Sequence, residues 1–252
     1  MQRPMSWFGS TVLVALFVIT LARPAAAMDV TQLLSRVQQA TSPGKDMRAN
    51  VDFEMTNATG ESIHWAGTLY RRNLPDRRVR LVLDSPVDLR GTEVVLMPGS
   101  DNVSQTRIFL PGLRRWRNIQ ADMRGEAFLG TDFNYEDLGF QHMEFQEHKL
   151  ESYDEEARDC YRVASIPQEG WWYARIVRCI DKKTYLPLRT EYYNRTGTLW
   201  KVRTLDGVKT IKSFPTASRI TMQTLPTGTQ TRITLSEIQY DVGLPDALFE
   251  GR

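Results

Sequence analysis

The chain has 252 residues, 32 Lys+Arg against 30 Asp+Glu, 41% hydrophobic residues and two cysteines. Ordinary hydrophobic content excludes a disordered chain, and near-neutral charge leaves no global electrostatic reason to bind nucleic acid or an anionic membrane. The length suits one large β domain or two small ones.

Residues 1–27 read as a secretory signal peptide. Arg3 gives a basic start, Trp7 to Ala22 carries no charge, and Arg23 and Pro24 end the apolar run. Ala25, Ala26 and Ala27 then supply the small-residue cleavage step. The run is short for a spanning helix, so the expectation is an exported, periplasmic chain cut after Ala27, with residues 28–252 forming a single domain. Loss of Arg3 and Arg23 leaves 30 basic against 30 acidic residues, a formally neutral mature protein.

Asp29 stands where a helix N-cap is expected, and Val30, Leu33, Leu34 and Val37 share one face before Ser42, Pro43 and Gly44 end the helix. Strands follow almost to the C-terminus. Val51, Phe53 and Met55 alternate with Asp52 and Glu54; Ile63, Trp65 and Leu69 with His64 and Thr68; Val79, Leu81 and Leu83 with Arg78 and Arg80. Further strands are expected near 91–97, 103–110 and 114–119. A helical spacing over 121–129, with Met123, Ala127 and Phe128 on one side, runs into an aromatic and acidic loop to Leu138. Strands resume near 143–153, 160–166, 171–179, 186–194, 199–210, 218–225 and 231–240. In the last of these, Ile233 and Leu235 are out of phase with Ile238 and Tyr240, which predicts a bulge.

Period-two alternation with short turns predicts a mainly β (α+β) fold of about eleven strands and two short helices. The expected architecture is a large curved antiparallel sheet, an incompletely closed β-barrel with helices over its concave face. A hairpin centred between Glu169 and Gly170 puts Cys160 opposite Cys179 and Val163 opposite Ile176, so the two cysteines are read as a disulfide. Two unpaired buried thiols are the alternative. Two sulfurs without a nearby histidine pair make a poor metal site, and neither metal nor cofactor is expected.

Catalytic signatures are scarce. His64, His142 and His148 fall on polar faces, and no nucleophile elbow, phosphate loop or Cys–His pair is present. Asp132, Glu136 and Asp137 could form paired carboxylates, but such a cluster is more often a loop held by arginines, with Arg114, Arg115 and Arg117 as candidates. Arg71, Arg72, Arg77, Arg78 and Arg80 read as a solvated hairpin face.

Two blocks carry a family resemblance: Phe128 to Leu138 (FLGTDFNYEDL) and Asp181 to Lys201 (DKKTYLPLRTEYYNRTGTLWK). Together they resemble the outer membrane lipoprotein-sorting proteins of the LolA-like superfamily, over the whole mature chain to Leu244–Phe249. The resemblance is to the broader branch associated with resistance-nodulation-division transporters rather than to the lipoprotein chaperone itself. It implies a half-open β-barrel that holds acyl chains in an apolar cavity, and it transfers no individual functional residue.

Two short helices cannot fill so large a concave sheet, so a pocket is expected there. Phe53, Met55, Trp65, Leu69, Leu81, Leu83, Met97, Phe109 and Met222 are the candidate lining residues, the methionines adapting to irregular shapes. Phe128, Phe133 and Tyr135, within Asp122 to Leu138, are candidates for a movable cover; a fixed plug is the alternative. The expected function is non-enzymatic: a periplasmic carrier of lipid or lipoprotein acyl chains between inner and outer membrane, touching membranes transiently, with an inner-membrane transporter as a candidate partner. An adaptor for such a transporter and an envelope-lipid-modifying enzyme are the alternatives.

Overall fold

A computed structural model describes residues 29–98, 104–120, 123, 125–135, 137–138, 146–151, 160–167 and 171–250. The segment expected as a signal peptide, Glu136, His142 and the cysteine hairpin's turn lie outside the described residues. Helix α1 (Val30–Thr41) buries Leu33 and Val37 completely. Asp29 occupies its N-cap position without a side-chain capping bond.

The strands are β1 (Asp46–Thr56), β2 (Ser62–Arg72), β3 (Arg78–Ser85), β4 (Glu93–Pro98), β5 (Ser104–Leu110), β6 (Arg115–Ile119), β7 (Gln146–Leu150) and β8 (Cys160–Pro167). After them come β9 (Arg175–Asp181), β10 (Pro187–Tyr193), β11 (Leu199–Asp206), β12 (Lys209–Ile211), β13 (Phe214–Thr216), β14 (Arg219–Thr224) and β15 (Thr229–Tyr240). Thirteen form one antiparallel sheet in the order β6-β5-β4-β3-β2-β1-β15-β14-β11-β10-β9-β8-β7, while β12 and β13 make a separate hairpin. The first and last long strands pair at its centre, Phe53 opposite Ile233. The predicted bulge is present: the register shifts between Arg48 and Asn50, opposite Glu237, whose φ is +49°.

One face of this sheet is continuous core. In β1 it carries Met47, Ala49, Val51, Phe53 and Met55; Trp65, Leu83, Met222 and Ile233 lie on the same face of neighbouring strands. Val94 of β4 and Arg203 of β11 line one cavity, although six inter-strand steps separate them. Laid flat, that span is about 29 Å, so the sheet curls around its apolar face.

The expected barrel with helices over its concave face needs correction. Edge strands β6 and β7 do not pair, so the sheet is open. Helix α1 packs at one end, against Val163 and Ile180, with its C-terminal turn at the cavity. The helix expected over 121–129 is absent from the described residues there: a single 3-10 turn covers Phe128–Gly130. That backbone bonds to itself instead, Phe128 N to Phe133 O (2.8 Å) and Tyr135 N to Glu126 O (3.3 Å). Gly125 also weakens helical propensity, and an ideal Cβ there would collide with the Trp172 ring at 1.7 Å.

The disulfide between Cys160 and Cys179 is formed, with Cα atoms 5.4 Å apart. Its register differs from the expected one by two residues. Cys160 faces Asp181, Cys179 faces Arg162, and Ile176 faces Ser165 rather than Val163. A shift of two preserves which face each side chain occupies, so a diagonal bond remains possible.

Candidate functional site

A cavity of about 280 Å³ opens between the concave sheet face, the end of α1 and the segment around Phe133, near the lower limit of typical ligand pockets. Met47, Val51, Phe53, Leu69 and Leu81 form one apolar wall, and Leu205, Ile220, Ile233 and Leu235 the opposite one. Thr41, Ser42 and Pro43 border it from α1, and Tyr240 from the end of β15. The sequence alternation dictates both walls, because each contributing strand turns its apolar phase inward.

Of the nine expected lining residues, Phe53, Leu69 and Leu81 line this cavity. Met55, Trp65, Leu83 and Met222 are buried in the core beside it. Met97 and Phe109 are corrections: they alternate with the inward-facing Leu96 and Ile108 and point to the other face. Phe109 stacks there on Trp116, centroids 5.5 Å apart. The run Val94-Val95-Leu96 is apolar on both faces, which hid the phase. The C-terminal turn Asp246–Phe249 packs on the outer face of the neighbouring β3, where Arg80 donates to the Leu248 carbonyl at 2.7 Å and Phe249 is fully buried beneath Arg72.

The segment expected as a cover is seated inside the concavity as a plug. Phe128, Phe133 and Tyr135 are 0%, 2% and 8% exposed and belong to the main core; Phe133 also lines the cavity. Asp132 fastens the segment to the sheet. Its carboxylate accepts from the hydroxyls of Thr224 (2.5 Å), Thr229 (2.6 Å) and Thr231 (2.7 Å), and its carbonyl accepts from Lys201 Nζ (2.5 Å). Hydroxyls and one ammonium group therefore hold this loop, in place of the expected Arg114, Arg115 and Arg117; Arg114 and Arg115 are exposed, as is Arg117.

Asp137 lies at the cavity and accepts from Tyr173 Oη (2.9 Å) and Asn134 N (3.0 Å). Burial raises its pKa above the ordinary carboxylate range, against the opposing pull of Lys201. Burial and the Asp137 charge push the Tyr173 hydroxyl well up in turn. Burial, with like-charge repulsion from Arg203, draws Arg178 down to about 10, and its guanidinium donates to Ser165 Oγ at 2.6 Å. His148 pairs with the same serine at 2.8 Å, while His64 is exposed beside Asp52. Among the described residues no cluster of His, Cys, Asp and Glu is arranged to hold a metal.

The basic hairpin is the clearest miss. Arg72 is 5% exposed, and Arg80 makes a buried ion pair with Glu93 at 2.7 Å. Arg71 faces inward and lines the cavity. The available signal was phase: Arg71 continues the inward series Trp65, Gly67, Leu69.

One long curled sheet around an apolar pocket defines a LolA-type fold. Similar solved structures include a DUF1329 family protein from Desulfovibrio piger (24% identity, TM-score 0.80, covering 86% of this chain and 94% of that one). A putative outer membrane lipoprotein-sorting protein domain from Vibrio parahaemolyticus matches at 23% identity and TM-score 0.81, over 87% and 95%. A LolA superfamily protein from Nitrosomonas europaea matches at 16% and 0.70, over 88% and 98%. No curated protein matches by sequence. Residues 76–252 match a family described as an uncharacterized protein, and the chain belongs to that family; its fold is the one that the LolA superfamily protein shows.

Proposed function

We propose that the protein is a non-enzymatic periplasmic carrier that holds an acyl chain of a lipid or lipoprotein in this cavity between inner and outer membrane. The observation behind this reading is the pocket itself: an apolar lining drawn from β1 to β4 and from β11, β14 and β15, bordered by α1 and by Phe133. Each methylene moved from water into such a wall contributes about 0.8 kcal/mol, so carriage needs no reactive group. The signal-peptide pattern of residues 1–27 supports export, and the lipoprotein-sorting relatives of the same fold support acyl cargo. An enzyme would need a carboxylate free to act. Asp132 already accepts three hydroxyl hydrogen bonds, which supports a structural role for it.

Mass spectrometry of the organic extract from natively purified protein tests the proposal. Near-stoichiometric acyl lipid is the expected result. Extract without lipid, together with failure to bind a fluorescent fatty acid, would overturn it and leave the transporter-adaptor reading.

A further inference from the structure

Acyl carriage uses the apolar walls and leaves Arg71 without a role. This residue sits on the inner face of β2, opposite Met47 and Val79, and lines the cavity. One of its N–H groups, on Nη1, donates to the Thr41 carbonyl at 3.1 Å. Its Nε and Nη2 are buried and have no hydrogen-bond acceptor. Among the described residues it forms no ion pair with a carboxylate. Burial lowers its pKa, offset by the charge of Tyr240 and by a side-chain hydrogen bond to it, with Arg77 adding like-charge repulsion; neither Tyr240 nor Thr41 supplies a carboxylate.

A buried guanidinium without a counter-charge is costly, because the desolvation penalty is not returned by an ion pair. Bonding to Thr41 does not account for it, since one neutral amide would serve that carbonyl as well. The remaining charges at the cavity do not balance it either. Among the described residues that line the same space, Asp137 is the carboxylate. Asp137 is already engaged by Tyr173 and Asn134.

We infer that the cargo is an anionic amphiphile, with its alkyl chain along the apolar walls and its carboxylate or phosphate on Arg71. This rests on the carrier reading and narrows it to a substrate class. Arginine suits both head groups, because its planar fork binds either one bidentately.

Calorimetric titration of the full mature chain with decanoate, decyl phosphate and decanol tests the inference. Hydrogen bonds to a charged group predict that at least one anion binds roughly tenfold or more tighter than decanol. The tighter of the two anions identifies a fatty-acid or a phosphate-bearing source. Arg71→Gln should bring the ratio of anion to decanol affinity close to one, and Arg71→Lys should retain most of the preference. Equal affinity for all three ligands in the wild type, or a preference that survives Arg71→Gln, would overturn the anionic cargo and leave acyl carriage standing. Failure of all three ligands to bind would instead overturn carriage. If Arg71→Gln does not fold, the wild-type ratio and Arg71→Lys still decide.

Discussion

Thr231 and Asp132 are bonded twice and reciprocally: the Thr231 hydroxyl accepts from the Asp132 backbone N–H at 2.9 Å and donates to its carboxylate at 2.7 Å. With Thr224 and Thr229 on the same carboxylate, one acid joins the β14–β15 hairpin to the segment that fills the concavity. Truncating it removes the acceptor of the buried Thr224 and Thr231 hydroxyls, and each unsatisfied group carries its own desolvation penalty. Asp132→Ala should therefore destabilise the protein by about 3 kcal/mol, read as a lower urea midpoint with unchanged slope. A change below about 0.5 kcal/mol would show that the anchor is dispensable.

The cysteine cross-link makes an independent contribution. Cys160 and Cys179 are separated by 19 positions, and closing a loop of this size in the unfolded chain stabilises the fold by about 3 kcal/mol. Intact mass without reductant should show two hydrogens fewer than the reduced chain. A Cys160→Ser/Cys179→Ser double variant should unfold at a clearly lower temperature. Two alkylatable thiols in native, oxidised protein would refute the bond.

Asp137 gives the stability curve a pH dependence of defined sign. Burial holds its folded pKa above the unfolded value, so the folded state keeps a proton that the unfolded state has released. Its contribution is undiminished below the unfolded pKa, about 3.9, and is lost as pH rises through the folded pKa. Wild type minus Asp137→Asn should thus lose stability with rising pH across that window. A flat difference, or one that rises, would contradict the burial of an unfavourable charge.

Much of the sheet was legible because one face is buried and the other wet. In β1 the alternation of Val51, Phe53 and Met55 with charged neighbours places every side chain correctly, and the phase break in β15 locates its bulge. Legibility failed where both faces are covered. Val94-Val95-Leu96 is apolar throughout and all three side chains are buried, which misplaced Met97 and Phe109. It failed again at Arg71 and Arg72, where charge suggested solvent although the phase pointed Arg71 inward. The segment after Ala121 has helical spacing, yet its loop closes through its own backbone bonds and an aspartate held by threonines 92 to 99 residues away. No local pattern records partners at that distance.

Phe133 decides between a plug and a cover over the cavity. Its ring is 2% exposed, it lines the cavity, and the neighbouring Asp132 is fastened to two strands. A swinging cover would have to break those bonds and expose Phe128 and Phe133 together, each a large apolar surface. A plug breaks nothing when a ligand enters beside it. Phe133→Ala should then cost about 3–5 kcal/mol, as core aromatic truncations do, because the ring leaves a void that its pinned neighbours cannot close. The same void adjoins the pocket, so binding of a fluorescent fatty acid should persist. Chemical denaturation and a fluorescence titration on one preparation read both quantities. A loss below about 1 kcal/mol accompanied by faster uptake or release would mean that the segment moves, and the plug assignment would fall.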